Sequence, residues 1–429
     1  MRANKEQTGN PLGLAIRDEA FNARPDGNGR AAFALERWLL QAMLRALGNP
    51  AVELVLWDGS RINAAEHGPT GIRLHLRDPG AVYRLALDPL YQFGELYSCG
   101  RIQVEGNLVA LIETINTARG DRTGWSSRLL SRVHAPRSNL LGQSPANIHH
   151  HYDLGNEFYE QWLDRRMLYT CAYFRSPPLT LEDAQVAKMD HICRKLRLQP
   201  GECVIEAGCG WGALALHMAR EYGVRVYAYN LSREQIAYAR NRARDEGLDD
   251  RVKFVEADYR VIRGQYDVFV SVGMLEHVGP HHFQEFSALI DRCVGANGRG
   301  LIHAIGSNHA SPLNPWIERR IFPGAYPPPL SEMVRILEPV GMSVLDVENL
   351  RLHYARTLEH WLSRYESARE YVETNFGAEF FRAWRLYLAG SLAAFRSGRL
   401  QLFQVLFQRQ RSNQQPWTRA ALYRDELHP

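Results

Sequence analysis

Three groups of residues in this 429-residue chain have types and spacings that could do chemistry. The first runs from Cys203 to Gly212 and reads Cys-Val-Ile-Glu-Ala-Gly-Cys-Gly-Trp-Gly. Glycines at Gly208, Gly210 and Gly212 leave the backbone open to close approach by a nucleotide-like ligand, and the first amides of a following helix point at that ligand. Two ligands fit. Gly208, Gly210 and Ala213 satisfy the Gly-x-Gly-x-x-Gly/Ala fingerprint of a dinucleotide site. S-adenosylmethionine, which has no phosphate, also lies beside such a turn. A dinucleotide site wants an acid about 20 residues further on to hold the ribose. Val224 to Ser232 contains no Asp or Glu, which weakens that reading.

The second group is Glu276 and His303, each expected at the end of an apolar strand. A histidine in such a place is usually a satisfied core residue. A carboxylate at the same level on a neighbouring strand favours function instead. The third candidate is Cys171, a thiol nucleophile on paper. No flanking cation lowers its pKa, so it is read as a pocket wall. His149-His150-His151 cannot share one helix face and is read as a loop, not a metal site. The six cysteines show no Cys-x-x-Cys spacing, so neither zinc nor a disulfide framework is expected.

These residues need a scaffold. From Gln185 the pattern alternates: helix Gln185 to Leu196, strand Cys203 to Ala207, helix Trp211 to Tyr222, strand Val224 to Tyr229, and a helix from the Ser232 cap to Glu246. Strands Val252 to Glu256, Tyr266 to Val272 and Gly300 to Ile305 follow, with a helix at His282 to Val294. Repeated β-α units predict an α/β parallel sheet covered on both faces. Val344 to Val347 and Leu400 to Phe407 are candidate final strands, separated by a helical insertion from Leu358 to Phe395. Ligands bind outside the carboxyl ends of such strands, which places the glycine turn, Asn230, Asp258, Tyr259, Glu276 and His303 on one rim. The apolar stripe Phe381, Trp384, Leu388, Leu392 and Phe395 reads as core.

Upstream, residues 1–30 are expected to be disordered, and 31–119 to form a small α+β domain. Its expected elements are a helix over Ala31 to Leu47 and strands over Val52 to Trp57, Gly71 to Leu76 and Ala81 to Leu85, with a turn at Asp78-Pro79-Gly80. A basic linker spans 120–148, with an amphipathic piece at Trp125 to Val133, and 149–429 is the expected catalytic domain. Net charge is only +4, too small to imply nucleic acid. Arginines cluster without acids at Arg122 to Ile148 and at Arg382 to Arg411, which suits either an anionic lipid surface or a solvated face. No run approaches the ~20 apolar residues of a membrane span, and the first residues lack a signal core. The expectation is a cytoplasmic protein that meets membrane from the side.

Five motifs in order carry a resemblance: Leu168-Tyr169-Thr170-Cys171-Ala172-Tyr173-Phe174, Gly208-Cys209-Gly210-Trp211-Gly212, Ser271 through Glu276-His277-Val278-Gly279, His303-Ala304-Ile305-Gly306-Ser307, and Trp316 through Ile321-Phe322-Pro323-Gly324. From about His151 to Gln408 the chain resembles the cyclopropane-fatty-acyl-phospholipid synthase family. Residues 90–110 also resemble the lipid-carrier-like N-terminal region of some members. The resemblance implies a seven-stranded, Rossmann-like class I methyltransferase sheet. It implies that S-adenosylmethionine converts a cis double bond of a membrane phospholipid acyl chain into a cyclopropane ring. The alkene attacks the sulfonium methyl, a carbocation forms, and loss of a proton from the new methyl closes the ring. Bicarbonate is the implied base, caged by Cys171, Glu276, His303, the Ile305 backbone and Tyr354. Tyr169, Thr170, Glu206, Gly208, Gly210, Trp211, Gly212, Asn230, Gln235, Asp258 and Tyr259 are the implied cofactor contacts, with no metal. The implied location is peripheral, at the inner face of the membrane, and a homodimer stays open.

The chain departs from the family at Asn230, commonly Thr, Glu206, usually Asp, and Leu275, usually Phe. Three readings besides cyclopropanation stand: a fatty-acyl methyltransferase giving methyl-branched or methylene chains, a non-catalytic lipid-binding protein, and the weakened nicotinamide dehydrogenase. Whether Glu276 is protonated, holds the hydrogen of the anion or orients His303 is left open by the residues alone.

Overall fold

The structure, a computed structural model, describes residues 31–63, 71–119 and 154–423. Residues 1–30, the expected linker and the triple histidine lie outside them. The chain begins with α1 (Ala34–Ala46), β1 (Glu53–Val55), β2 (Arg61–Asn63), β3 (Arg73–Leu76), α2 (Pro79–Leu87), α3 (Pro89–Ser98), β4 (Ile102–Glu105) and α4 (Leu108–Arg119). It continues with α5 (Asn156–Glu160), α6 (Leu181–Leu196), β5 (Cys203–Ala207), α7 (Ala213–Tyr222), β6 (Arg225–Asn230), α8 (Arg233–Asp245), β7 (Val252–Glu256), β8 (Tyr266–Val272), α9 (Phe283–Cys293) and β9 (Val294–Gly306). The remaining elements are α10 (Pro315–Arg320), α11 (Leu330–Leu337), β10 (Met342–Asn349), α12 (Arg351–Ser367), α13 (Arg369–Phe376), α14 (Ala378–Arg396) and β11 (Gln401–Arg409).

These elements form two compact units. The first comprises the described residues of Met1–Ala135 with Pro312–Pro323 and Trp361–Gly398. Its sheet runs β2-β1-β3-β4, with β1 and β3 parallel and the other pairs antiparallel. Ala81 to Leu85, expected as a strand, lies in a helix. Asp78 caps α2, its carboxylate accepting from Ala81 N at 3.1 Å. Pro79 fits the first turn, where no backbone donor is needed. The Asp78-Pro79-Gly80 turn signal therefore starts a helix. Asp88-Pro89 repeats the device for α3. In α14, Phe381, Trp384, Leu388, Leu392 and Phe395 are buried, as the stripe predicts.

Arginines from the 382–411 cluster make bonds inside their own units. Arg382 donates to Ser98 O at 2.6 Å, Arg385 to Glu366 at 2.6 Å and Arg396 to Glu113 at 3.3 Å. Trp316 of the fifth motif is a packing residue. A Cβ on Gly94 would lie 2.3 Å from its indole, and its Nε1 donates to Glu95 at 3.0 Å.

The second unit, built from Pro136–Ser311, Gly324–His360 and Arg399–Pro429, holds the large sheet in the order β10-β11-β9-β8-β5-β6-β7. The β5–β6, β5–β8, β6–β7 and β8–β9 pairs are parallel, whereas β11 runs antiparallel to β9 and β10 to β11. Alternate side chains build two cores. Val204, Val226, Val268, Val270 and Leu301 share a cluster with residues of α6, α7 and α8. Ile205, Ala207, Phe269, Ile302 and Ala304 share one with residues of α9 and α11. Burying each larger aliphatic contributes about 1.5–3 kcal/mol. α6 starts at Leu181, four residues before the expected start, because Thr180 caps Asp183 N at 3.1 Å. Register aligns the strand ends: Ala207 pairs with Tyr229 and Ser271, and Val272 with His303. Residues just past those ends therefore meet at one rim.

Candidate active site

The glycine turn leaves β5 with φ of +87° at Gly208, +53° at Gly210 and +82° at Gly212. The amides of Gly208 and Cys209 both donate to Tyr229 O, at 2.9 and 3.1 Å, tying the turn to β6. A Cβ on Gly212 would lie 2.6 Å from Phe254, whereas one on Gly210 would meet nothing within 4 Å. Gly210 is therefore the glycine that faces open space. Asn230 donates to Gln235 Oε1 at 2.6 Å and to Gly210 O at 3.4 Å. That leaves Gln235 Nε2 buried without a partner. Glu206 Oε2 is likewise buried and unpartnered, and burial pushes its carboxyl up to about 8 against the pull of the Lys188 charge.

Trp211 links this turn to the Tyr169 segment. Its Nε1 donates to Asn156 at 2.7 Å and its ring packs on Tyr159, which in turn meets Tyr169. Sequence reasoning missed two residues that hold this segment. Gln185 Nε2 donates to the carbonyls of Leu168 (3.3 Å) and Thr170 (2.9 Å), and Lys188 Nζ donates to Thr170 Oγ1 at 2.8 Å. Lys188 is fully buried, and burial pushes its ammonium down to about 8. The available signal was two polar residues three apart at core positions of an amphipathic helix. Asp258 gives both oxygens to Arg260, at 2.8 Å each, and Tyr259 stands edge-on to Phe286.

On the other side of the rim, Gly273 N donates to His303 O at 2.8 Å, and the short helix Leu275–His277 presents Glu276. Glu276 Oε1 accepts from Ile305 N at 3.4 Å, and Oε2 is buried without a partner. Burial pushes this carboxyl up to about 7, with bonds from its own amide and that of Ile305 opposing. His303 pairs in register with Gln404 of β11, and Gln404 Nε2 donates to His303 Nδ1 at 3.1 Å. With Nδ1 accepting, the ring proton sits on Nε2, which is buried and unpartnered. Burial holds the imidazole pKa well below its ordinary value, and the charges of Lys188 and Lys195 add to this. The site thus offers a neutral N–H donor and a carboxyl poised near neutrality. Gln404 was not anticipated, because only strand register reveals it.

Cys171 is a wall. Its thiol donates to Ala172 O at 3.1 Å, and burial pushes its pKa far up. Helix α12 grips the same segment: Ala172 N donates to Thr357 at 3.0 Å and Phe174 N to His353 Nδ1 at 3.0 Å. The buried Tyr354 lies between those anchors in sequence. Among the described residues no group of three or more His, Cys, Asp or Glu is arranged to hold a metal ion.

Changing Gln404 to Glu gives a direct check on the tautomer. A carboxylate would demand a proton on Nδ1 and turn Nε2 into an acceptor. Turnover should fall on the order of 10²-fold, as when one preorganised donor is lost, with ligand affinity at the glycine turn unchanged. Steady-state kinetics beside calorimetry would show it, and an unaffected rate would overturn the donor assignment.

The strand order, the glycine turn after β5 and the antiparallel β11 define a class I methyltransferase fold. Residues 141–405 match the family described as mycolic acid cyclopropane synthetase, and residues 39–122 match a domain of unknown function. The chain is 35% identical over 398 residues to a probable fatty acid methyltransferase of Pseudomonas putida, covering 90% of this chain and 99% of that one. It is 40% identical over 284 residues to the cyclopropane-fatty-acyl-phospholipid synthase of Escherichia coli K12, covering 66% and 71%. The crystal structure of mycolic acid cyclopropane synthase CmaA1 complexed with SAH and CTAB superposes with a TM-score of 0.59 at 29% identity, covering 62% of this chain and 98% of that one. The chain belongs to the mycolic acid cyclopropane synthetase family.

Proposed function

We propose that this protein transfers one carbon from S-adenosylmethionine to the cis double bond of an unsaturated phospholipid acyl chain and closes a cyclopropane ring. The observation that carries this reading is the Glu276–His303 rim: a carboxyl near neutrality and a neutral N–H donor, both buried with an unpartnered atom.

The residues fit the cofactor. Gly210 opens onto unfilled space, and Gln235 Nε2 and Glu206 Oε2 are buried polar atoms with no partner inside the protein. Gly208, Gly210, Trp211, Gly212, Asn230, Gln235, Glu206, Tyr169, Thr170, Asp258 and Tyr259 would hold it or frame its pocket. When bound it supplies an electrophilic methyl group on a sulfonium. The donor set also fits bicarbonate, which accepts and donates hydrogen bonds at once: His303 Nε2, the Ile305 amide and Tyr354 would donate to it, Glu276 Oε2 would accept from its hydroxyl, and it would supply a base that passes its own proton on to Glu276.

The net reaction breaks the carbon–sulfur bond, one carbon–hydrogen bond of the transferred methyl and the π bond of the alkene, forms two carbon–carbon bonds and releases one proton. The chain holds the weakly nucleophilic alkene close and dry, since near-attack placement can supply ~7–11 kcal/mol of the barrier. His303 donates through Nε2. Its only lone-pair nitrogen faces Gln404, so it is not a proton acceptor. Glu276 Oε2 is the atom whose proton affinity lies near neutral pH. The released proton therefore leaves toward Glu276. Among the described residues no helix is long and apolar enough to cross a membrane, and contact with the bilayer is read as peripheral.

A second reading, methyl transfer without ring closure, is favoured by the relative matched over 99% of its length, a probable fatty acid methyltransferase. One experiment separates the two. With cis-unsaturated phospholipid and S-adenosylmethionine carrying a CD3 group, mass spectrometry of the product should show two deuteriums retained, and ozonolysis should leave the product uncleaved because a ring has no C=C bond, whereas a methylene chain would also keep two but would be cleaved. Three retained would establish a methyl-branched product, and no incorporation would favour a non-catalytic lipid binder.

A further inference from the structure

The first unit carries an exposed apolar face that the site does not use. Nine large hydrophobic residues are exposed among the described residues. Five of them, Phe33, Leu35, Trp38, Tyr83 and Leu87, lie on α1, its N-terminal flank and α2, two helices that pack on each other. Exposed apolar residues scattered singly are ordinary, and a group is not. Leu35 is 55% exposed, Trp38 57% and Leu87 82%. Leu35 and Trp38 are three apart and Tyr83 and Leu87 four apart, so each helix presents a stripe. The opposite side of α1, carrying Glu36, Leu40 and Leu44, is buried.

Charge on this face is mainly positive, with the exposed Asp58 at its edge. Glu36, the acid within α1, is turned inward, accepting from Phe33 N at 2.9 Å and from the Tyr83 hydroxyl at 3.0 Å. Asp58 accepts from the amides of Ala32 and Ser60. Asp78 and Asp88, at the ends of α2, cap α2 and α3. Arg45 and Arg84 are exposed. Leucine and tryptophan with exposed arginines beside them suit helices lying in a lipid headgroup layer. The apolar groups sink toward the acyl chains, and the guanidinium groups stay at the phosphates.

We propose that the α1–α2 face docks this protein on an anionic phospholipid bilayer. The proposal rests on the acyl-chain reading above only in that such a substrate lives in a bilayer. The test uses the full chain with phosphatidylglycerol/phosphatidylcholine vesicles. The Leu35→Ser/Trp38→Ser/Leu87→Ser variant should sediment with vesicles on the order of tenfold less well, and activity on vesicle lipid should fall in parallel. Activity on the same lipid dispersed in detergent should not change. Lipids brominated in the acyl chain should quench part of the tryptophan fluorescence, and Trp38→Phe should remove that part. Added salt should weaken the binding.

The idea is overturned if the triple variant binds as before, or if quenching is the same without Trp38. It is also overturned if wild type binds vesicles only after residues 1–30 are deleted, which would make that segment the occupant. A variant that loses self-association and keeps its vesicle binding would assign the face to a second copy. Absence of activity in both lipid forms would count against the enzymatic reading alone, since quenching decides the docking face by itself.

Discussion

Replacing Glu276 by Gln is expected to slow turnover by ~10²–10⁴-fold, to leave affinity for S-adenosylhomocysteine unchanged, and to make the protein more stable above pH 7. The kinetic part follows from losing the carboxyl that sits beside His303 with a proton affinity near neutral. Wild-type activity should rise with pH through about 7, as Glu276 ionises. The variant should lack that limb. The stability part follows from linkage. In the folded chain burial raises the carboxyl from 4.5 to about 7, so between those values the folded state holds a proton that the unfolded state has lost. Its contribution to stability is fully present below pH 4.5 and is lost as pH rises through 7. Gln resembles the protonated acid at every pH. The variant should match wild type at pH 4 and exceed it by about 3 kcal/mol above pH 7, the equivalent of the shift. Chemical denaturation at pH 4, 6 and 8 reads this directly. Equal stabilities at pH 8 would mean that the carboxyl is already neutral or solvated, and the proton-acceptor role would fail with it.

Local features of the site were legible in the sequence, and features that depend on register were not. Strand, glycine turn and helix from Cys203 to Tyr222 are contiguous, so the apolar run and the glycines announce them together. Glu276 and His303 could be placed on one rim because parallel sheets put strand ends at a common level, and the pairing of Val272 with His303 does so here. Gln404 could not be found in that way. It lies 101 residues beyond His303, on a strand inserted antiparallel beside β9, and only the register brings the amide to Nδ1. Gln185 and Lys188 fall within the helix expected from Gln185 to Leu196, with no function attached to them. Their function in holding Leu168 to Thr170 depends on a loop packed against that helix. The error at Ala81 to Leu85 has a different origin: Asp-Pro-Gly serves as a turn and as a helix start, and five apolar-rich residues do not discriminate between them. The insertion of Pro312–Pro323 and Trp361–Gly398 into the first unit is a matter of long-range packing for which the linear order gives no sign.

The glycine turn allows the sharpest separation of packing from binding, because two glycines two residues apart face different surroundings. Gly212→Ala should mainly damage the fold. Its φ of +82° is left-handed, which costs a residue with a Cβ about 1–2 kcal/mol. The new methyl would also meet Phe254 at 2.6 Å and Ala239 at 2.8 Å, overpacking that adds about 1–3 kcal/mol. Gly210→Ala incurs only the backbone cost, since a Cβ there has no protein atom within 4 Å. Its methyl would instead enter the space open beside the Asn230–Gln235 pair. Affinity for S-adenosylhomocysteine should fall at least about tenfold, or ~1.4 kcal/mol, while the melting temperature moves far less than in Gly212→Ala. Gly208→Ala should lie between, because Met274, 3.0 Å from its Cβ, is a flexible side chain that can yield. Calorimetric titration and thermal melts on the three variants test the assignment together. If Gly210→Ala binds like wild type while Gly212→Ala alone loses ligand, the cofactor does not lie against this turn, and the orphaned atoms of Glu206 and Gln235 need another partner.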